Sequence, residues 1–334
     1  MASREYSKRL GSISDEQLQD ALDRFDLGQL LAAEPLTTGL FGQNLLLTAS
    51  TGDYVFRGAP HWNADGEDDW QFPKERYFAG LIHHSDGGLP VAWPYLVETR
   101  RDIFGWGFAL QPRLDGAPLG HPMHESYSPA EIAEQSRELG RALGIVHKVR
   151  VQSAGTYDLA VDAVTPFRVP YSDYVLATVE GLLQRSQIAS AATTGADIDW
   201  ARSVLAAARP ALEMPFQACV VHLDYGFHNV LFAKRDDHWK VTGVVDWMTA
   251  EAGHRECDLA RPLAADHQYG VGGRDEFLGA YYSVQPQLPG FFERFRAFML
   301  WERLLIWEYW QRHNGFPKGL GMRRWMEPFV TLLG

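Results

Sequence analysis

Apolar positions in the first third of the chain come in short runs that turn residues interrupt. Asn44–Ser50 and Tyr54–Arg57 are such runs, and the Gly-containing turn Thr51–Asp53 separates them. Runs of this length bounded by turn residues are typical of β-strands joined in hairpins. Pro94–Glu98 and Trp106–Leu110 form a second pair around another turn. The pattern therefore predicts that the first part of the protein is rich in β-structure.

Most of the remaining chain follows a helical period. Behind Ser128, a candidate N-cap followed by proline, apolar residues recur about every 3.6 positions. Ser14 is a candidate N-cap for an earlier amphipathic helix. We therefore expect an α+β protein with a small β-rich part and a larger, mainly helical part. The predicted helices are Ser14–Leu30, Pro73–His84, Ser128–Val149, Pro170–Gln184, Asp197–Leu212, Asp275–Val284, Gly290–Arg312 and Gly319–Leu333.

Composition indicates an ordinary globular protein. The chain has 334 residues, of which 46% are apolar and 22% charged, and its formal net charge is −11. That charge argues against a nucleic-acid partner and slightly favours a cationic small substrate, although solubility alone explains it more simply. A chain of this length can form either a monomer or a homodimer, and composition does not choose between them.

Two sequence features bear on localisation. The cysteines, Cys219 and Cys257, form no CxxC motif and look like the reduced thiols of a cytoplasmic protein. The N-terminal residues carry no apolar run, so we expect no signal peptide. The longest apolar stretch, Phe298–Trp310, is too short to span a bilayer and contains charged residues. We expect a cytoplasmic protein without membrane contact.

The chemistry is concentrated in Val220–Ala260. There, His222-Leu223-Asp224 is followed by Asn229, and Asp246 comes at the end of an apolar run. Phosphoryl transfer needs such a set, because one carboxylate takes the proton of the attacking hydroxyl. An amide oxygen and a second carboxylate are hard ligands of the kind that Mg²⁺ prefers. Each residue alone is more typical of a solvated or capping loop, so the prediction depends on their order.

That order resembles a known family. H-x-D-x-x-x-x-N, a short hairpin, apolar-Asp-Trp and then D-L-A at Asp258–Ala260 are similar to the aminoglycoside phosphotransferases and their choline- and homoserine-kinase relatives. The segments YVFRGAP and PKERYFAG bear a loose resemblance to the hygromycin B phosphotransferase type. The chain departs from the family pattern at Leu223, where Gly is usual, at Met248, where an acidic residue is usual, and at His254-Arg255.

The resemblance implies a protein-kinase-like bilobal fold. Residues 1–113 would form the nucleotide-binding lobe with its leading helix, and residues 114–334 the catalytic and substrate-binding lobe. Asp224 would then be the catalytic base and His222 would brace its loop, while Asn229 and Asp246 would bind Mg²⁺.

It also implies nucleotide contacts in the first lobe. Arg57, on a predicted strand, would hold phosphates and pair with Glu75, on the predicted helix behind it. The simpler alternatives are a solvent-exposed strand arginine and a surface glutamate. The turn that contains Gly39 and Gly42 would lie over the phosphates, although an ordinary hairpin explains it equally well.

Two further groups would lie at the hinge between the lobes. Backbone groups of such a hinge usually bind the purine edge, and the segment here includes Gln111 and Leu114. Because Pro112 has no N–H, the donors shift to its neighbours.

His147, at the end of a helix, is expected to be packed rather than catalytic.

The resemblance implies an O-phosphotransferase that uses Mg²⁺ and ATP or GTP on a small-molecule acceptor. The first hypothesis is an antibiotic acceptor and therefore resistance, with an aminoglycoside or hygromycin-like compound, a macrolide, or a nucleoside or peptide antibiotic as candidates. The alternatives are a metabolic kinase acting on a choline-, homoserine- or sugar-like substrate, and a nucleotide-binding pseudokinase. A protein kinase is disfavoured because the HRD, DFG and APE motifs are absent.

Overall fold

The structure is a computed structural model, and it describes residues 3–7, 10–36, 44–58, 70–119, 127–313 and 319–333. The chain forms two compact units. The first comprises residues 1–117, 158–163 and 242–248, and the second comprises residues 118–157, 164–241 and 249–334.

The first unit is built on a five-stranded antiparallel sheet. Its elements are β1 Ser3–Ser7, β2 Gly11–Ser14, α1 Asp15–Asp23, β3 Leu30–Pro35, β4 Asn44–Ala49, β5 Gly52–Gly58, α2 Gln71–His83, β6 Leu96–Glu98 and β7 Phe108–Pro112. The strand order in the sheet is β3-β4-β5-β7-β6. Alternate residues of β4 are buried, as the sequence pattern requires, and Leu45 and Leu47 pack with Phe56 and Phe108 in one hydrophobic core.

The first helix starts where the sequence places it but ends earlier. Ser14 and Gln17 form a reciprocal capping box at its start. The predicted end at Leu30 is wrong, since the helix ends at Asp23. Asp26 and Gly28 adopt left-handed backbone conformations, with φ of 55° and 82°, which redirect the chain into β3.

The second unit is mainly helical. The remaining elements of the chain are β8 Ala117–Pro118, α3 Pro129–Val146, β9 Gly155–Asp158, β10 Ala163–Pro166, α4 Tyr171–Ala189, α5 Gly195–Leu212, β11 Cys219–Val221, β12 Val230–Arg235, β13 His238–Val244, β14 Glu251–Gly253, α6 Ala260–Tyr269, α7 Arg274–Tyr282, α8 Phe291–Arg312 and α9 Met322–Val330. The long helix α8 buries residues around most of its circumference, which explains the aromatic residues in its sequence. The strand order in the four-stranded sheet is β10-β9-β14-β11, and β13-β12-β8 form a separate three-stranded sheet.

These elements confirm the predicted α+β class, with a sheet-rich N-terminal part. The sequence pattern did not indicate α6. This helix continues a 3₁₀ helix at Arg255–Leu259, has no side-chain N-cap of its own and ends at Gly270 in a left-handed conformation. Within the described part of the chain, no helix is long and apolar enough to cross a membrane.

Candidate active site

A buried ionic cluster forms in the first unit. Arg57 of β5 makes an ion pair with Glu75 of α2, whose side chain is completely buried. Tyr95 donates its hydroxyl to Glu75 Oε2 at 3.2 Å and accepts a hydrogen bond from Arg57 Nη1 at 3.3 Å. Gln71 donates to Glu75 Oε1 at 3.1 Å. The structure therefore brings together the two residues that the sequence pairs, and adds Tyr95, for which the sequence gives no signal.

Arg57 keeps its positive charge in spite of being mostly buried. Burial disfavours the guanidinium, but the attraction of Glu75 outweighs it and raises the pKa of Arg57 above its ordinary value. Burial raises the pKa of Glu75, and Arg57 opposes that rise. The Phe72 ring lies 5.9 Å from the guanidinium carbon. The result is a fixed cation of the kind that binds phosphate.

Asp246 lies beside this cation. It follows β13 in a left-handed conformation, with φ of 65°, which Asp tolerates better than most residues. The Trp247 indole donates to Val244 O at 3.2 Å and fixes the turn. Asp246 Oδ1 lies 3.4 Å from Arg57 Nη2, and 37% of the side chain is exposed. A carboxylate that is partly exposed and only loosely paired remains available to a cation.

The sequence analysis also names Gln111, Leu114, Gly39 and Gly42 as nucleotide-binding residues. Gln111 is buried on β7, opposite Val55 of β5. The N–H of Arg113 is used in a 2.9 Å hydrogen bond to Asp53 O, and Leu114 follows it, half-buried. Gly39 and Gly42 lie outside the described residues.

In the second unit, a buried aspartate holds the loop that carries Asp224. The loop follows β11, and the backbone N–H groups of His222 and Leu223 donate to Asp258 Oδ2 and Oδ1 at 2.7 and 2.6 Å. Leu223 has a left-handed φ of 61°. A left-handed position favours Gly, which explains why the family pattern has Gly there. The chain makes the same turn with Leu, held by Asp258.

Asp258 is in turn part of a buried hydrogen-bonded chain. His147 Nε2 lies 3.1 Å from Asp258 Oδ2, and His147 Nδ1 lies 3.0 Å from the Tyr281 hydroxyl. Burial lowers the pKa of His147, so the ring is neutral near pH 7. A neutral ring that donates from Nε2 must accept at Nδ1 from Tyr281. His147 is therefore packed and braces the loop, in line with the sequence expectation.

Asp224 is surrounded by donors. Asn229 Nδ2 donates to Asp224 Oδ2 at 3.0 Å, and His228 Nε2 lies 3.1 Å from Oδ1. Arg261 Nε lies 3.0 Å from Oδ1. Burial disfavours the charged carboxylate, but the attraction of Arg261 and the hydrogen bond from His228 outweigh it and lower the pKa of Asp224 to about 2. The side chain is 27% exposed, so it is an ionised carboxylate that a ligand can reach.

His222 and Asn229 take defined places around this carboxylate. His222 is buried, and its Nδ1 accepts the N–H of Asp224 at 3.3 Å. Asn229 also donates from Nδ2 to the carbonyl oxygen of Asp224 at 2.9 Å. Because its amide nitrogen is used in this way, the amide oxygen of Asn229 is the end left for a cation.

Each unit has an oxygen of the kind that Mg²⁺ prefers. Asp246, in the first unit, has a partly exposed carboxylate, and Asn229, in the second, has an amide oxygen that is left over after its nitrogen is used. In the described part of the chain, no three His, Cys, Asp or Glu residues cluster closely enough to hold a metal. Mg²⁺ is typically held by one or two protein oxygens together with phosphates and water, so a dense protein cage is not required.

Sequence reasoning missed two residues that contact Asp224. His228 immediately precedes Asn229, and its position four residues after Asp224 was a signal that could have been used. Arg261 directly follows Asp258-Leu259-Ala260. Its nearness to Asp224 depends on the tertiary fold, and the local sequence gives no sign of it.

A sequence model described as the phosphotransferase enzyme family (APH) matches residues 33–292, a span that includes every site residue described above. The chain belongs to this family. Membership makes the protein a small-molecule kinase and confirms the family that the motifs indicate.

Relatives of this phosphotransferase include homoserine kinases, and solved structures of similar fold include aminoglycoside phosphotransferases. Homoserine kinase of Neisseria meningitidis serogroup B is 24% identical over 82% of this chain and 81% of its own. The crystal structure of a thermostable mutant of aminoglycoside phosphotransferase APH(4)-Ia, in its apo form, is 17% identical, covers 96% of this chain and 99% of its own, and has a TM-score of 0.68. A further variant of that mutant, in a ternary complex with ADP and hygromycin B, is 15% identical over 94% of this chain and 96% of its own, with a TM-score of 0.65.

The solved structures confirm the predicted kinase-like fold for this phosphotransferase. At this level of identity they show the fold alone. The acceptor has to be argued from the site.

Proposed function

We propose that this phosphotransferase transfers the γ-phosphoryl group of ATP or GTP to a hydroxyl of a small-molecule antibiotic, an aminoglycoside or hygromycin-like compound first, and so confers resistance. One observation carries the catalytic part of the proposal. Asp224 is an ionised, reachable carboxylate on a loop that Asp258 fixes at two consecutive N–H groups. A family member built for catalysis needs such a base, and a decayed one would not have to retain it.

Asp224 would orient the acceptor hydroxyl and take its proton as the new P–O bond forms. With a pKa of about 2 it stays ionised at every pH at which the protein works, so orientation is its main contribution. His222 would brace the loop, since it accepts the Asp224 N–H. Removing the base should cost several orders of magnitude in rate, because positioning and charge supply most of the catalysis in phosphoryl transfer.

Arg57, held by Glu75, would bind nucleotide phosphates, and Asp246 and Asn229 would each supply an oxygen to Mg²⁺. When bound, the ion would neutralise the charge that develops on the phosphates. The roles proposed for Gly39, Gly42, Gln111 and Leu114 in covering the phosphates and binding the purine rest on the family resemblance.

A metabolic kinase is the second candidate, and the homoserine kinase relative favours it. A pseudokinase is disfavoured by the geometry. The departure at Leu223 leaves the loop in the left-handed turn that Gly would adopt, and Asp224 keeps its hydrogen bond from Asn229.

The test is a coupled ADP-release assay with Mg-ATP and Mg-GTP against hygromycin B, kanamycin, a macrolide, L-homoserine and choline. Asp224→Asn is compared with Asp275→Asn, a control whose side chain is 85% exposed. Turnover on an antibiotic that is lost only in the first variant supports the proposal, as does drug resistance in a susceptible host. Turnover only on homoserine or choline would replace it with the metabolic alternative.

A further inference from the structure

Arg261 is a cation next to the proposed base, and the proposed mechanism does not yet use it. It lies in the first turn of α6, directly after the segment in which Asp258 anchors the Asp224 loop. Its Nε lies 3.0 Å from Asp224 Oδ1 and 3.5 Å from Glu302 Oε1, and 22% of the side chain is exposed.

The Nε–H of Arg261 is buried and has no hydrogen-bond partner among the described residues, in spite of these short distances. At 3.0 Å from Asp224, only misalignment can prevent a hydrogen bond. Buried donors are almost always satisfied, and a native exception calls for an explanation. The contact is therefore an ion pair whose hydrogen bond is not yet made.

Glu302 is the less suitable acceptor for this donor. Its Oε1 lies 3.5 Å from Arg261 Nε, longer than an ordinary hydrogen bond, and Arg303 Nη2 already donates to that oxygen at 2.7 Å. Asp224 Oδ1 lies nearer, at 3.0 Å, and a carboxylate oxygen that accepts from His228 can accept a second hydrogen bond. A small rotation of the Asp224 carboxylate is the simplest change that would satisfy the buried N–H.

We propose that Arg261 is a positioning residue for phosphoryl transfer: as the acceptor hydroxyl docks, the Asp224 carboxylate turns to accept the Arg261 Nε–H and is thereby fixed on that hydroxyl. This inference rests on the proposed function of Asp224. Hydrogen bonds in catalytic sites are often poorly aligned in the free enzyme and tighten only in the reacting complex. An interaction made only there lowers the barrier without strengthening acceptor binding.

The variants Arg261→Met and Arg261→Lys test this. Arg261→Met keeps most of the side-chain length but has no N–H, so we expect kcat to fall about 10- to 100-fold, the loss of one hydrogen bond to a charged group, with KM for the acceptor nearly unchanged. Arg261→Lys keeps the charge but has no Nε–H, so we expect an intermediate kcat. Arg261→Met also removes the ion pair with Asp224 and should lower the melting temperature, whereas Arg261→Lys keeps the charge and should change it by no more than about 3 °C.

The assay uses Mg-ATP with hygromycin B, kanamycin, L-homoserine and choline, and with water alone as the acceptor. Arg274→Met is the matched control, since Arg274 is paired with the neighbouring exposed Asp275. A fall in kcat at constant KM in both Arg261 variants but not in Arg274→Met, with the melting temperature of Arg261→Lys unchanged, supports the inference.

An unchanged kcat, a change confined to KM, or a loss of activity in Arg261→Lys that only follows a loss of its stability would overturn it. If Arg261→Met does not fold, Arg261→Lys decides, and a wild-type kcat in that variant rejects the role. Activity that survives in Asp224→Asn, or no transfer by the wild type even to water, would instead reject the proposed function, and the inference with it.

Discussion

Replacing Asp258 by Asn tests whether one buried carboxylate holds the loop of the base. Asp258 is 2% exposed and accepts hydrogen bonds from the backbone of His222 and Leu223, and it also lies 3.1 Å from His147 Nε2. Asn has nearly the same shape but only one acceptor oxygen. In either orientation, its NH₂ group faces an N–H donor.

The expected loss of stability follows from this geometry. At least one charge-assisted hydrogen bond disappears, worth about 1.5–3 kcal/mol, and a buried N–H is left unsatisfied at a cost of about 1–3 kcal/mol. If the loop relaxes, Leu223 can leave its left-handed conformation, which reduces the loss of stability by about 1–2 kcal/mol. We therefore expect the free energy of unfolding to fall by about 3 kcal/mol, a large share of the roughly 5–15 kcal/mol that is typical of a native protein.

The assay combines urea unfolding with kcat measured on the folded protein. Glu256→Gln is the control, because Glu256 is also buried in the same segment but is bonded by Arg294. Both variants should lose stability, and only Asp258→Asn should also lose kcat, by at least about 10-fold if the base is misplaced. Wild-type stability and kcat in Asp258→Asn would refute the claim that Asp258 positions the loop.

Two further predictions concern the Arg57–Glu75 pair and two buried histidines. Glu75→Gln leaves Arg57 without its buried counter-charge, so kcat/KM for Mg-ATP should fall by about 10-fold or more. If steady-state kinetics show an unchanged kcat/KM, the Arg57–Glu75 pair does not take part in nucleotide binding. The pKa values of the buried side chains of His147 and His254 are lowered by burial, so the folded protein binds fewer protons than the unfolded chain once the pH falls below about 6.5. Stability should therefore decrease between pH 7.5 and 5.5, by up to about 1.4 kcal/mol per pH unit for each histidine below its unfolded pKa. Urea unfolding at the two pH values measures the decrease, and His254→Asn should remove about half of it.

Local sequence signals predicted the elements that are stabilised locally. The alternation in β4 and the capping box of Ser128 and Glu131 are such signals, and the structure contains both. Helix α6 and the short strand β14 escaped prediction because the helix has no side-chain N-cap and neither element has an extended apolar pattern of its own. Both form because neighbouring elements pack against them, which a local pattern does not record.

The site residues likewise divide into those with a local sequence signal and those that only the tertiary fold brings together. Asp224 and Asn229 were identified because their spacing is local and tied to one turn. The link from His147 to Asp258 spans 111 positions, and the nearness of Arg261 to Asp224 arises only from folding. Leu223 is instructive in another way. Its side chain departs from the family pattern, but its backbone conformation is the one that Gly would provide.

The central claim is that Asp224 directs phosphoryl transfer to a small-molecule hydroxyl. The most direct measurement is mass spectrometry of hygromycin B, kanamycin and L-homoserine after incubation with Mg-ATP and wild type, Asp224→Asn or Asp275→Asn. We expect one acceptor to gain a single phosphoryl group with wild type and Asp275→Asn, and to remain unmodified with Asp224→Asn. Equal phosphorylation by all three proteins would contradict the role of Asp224, and the absence of product with wild type on these and wider acceptors would contradict the proposed activity.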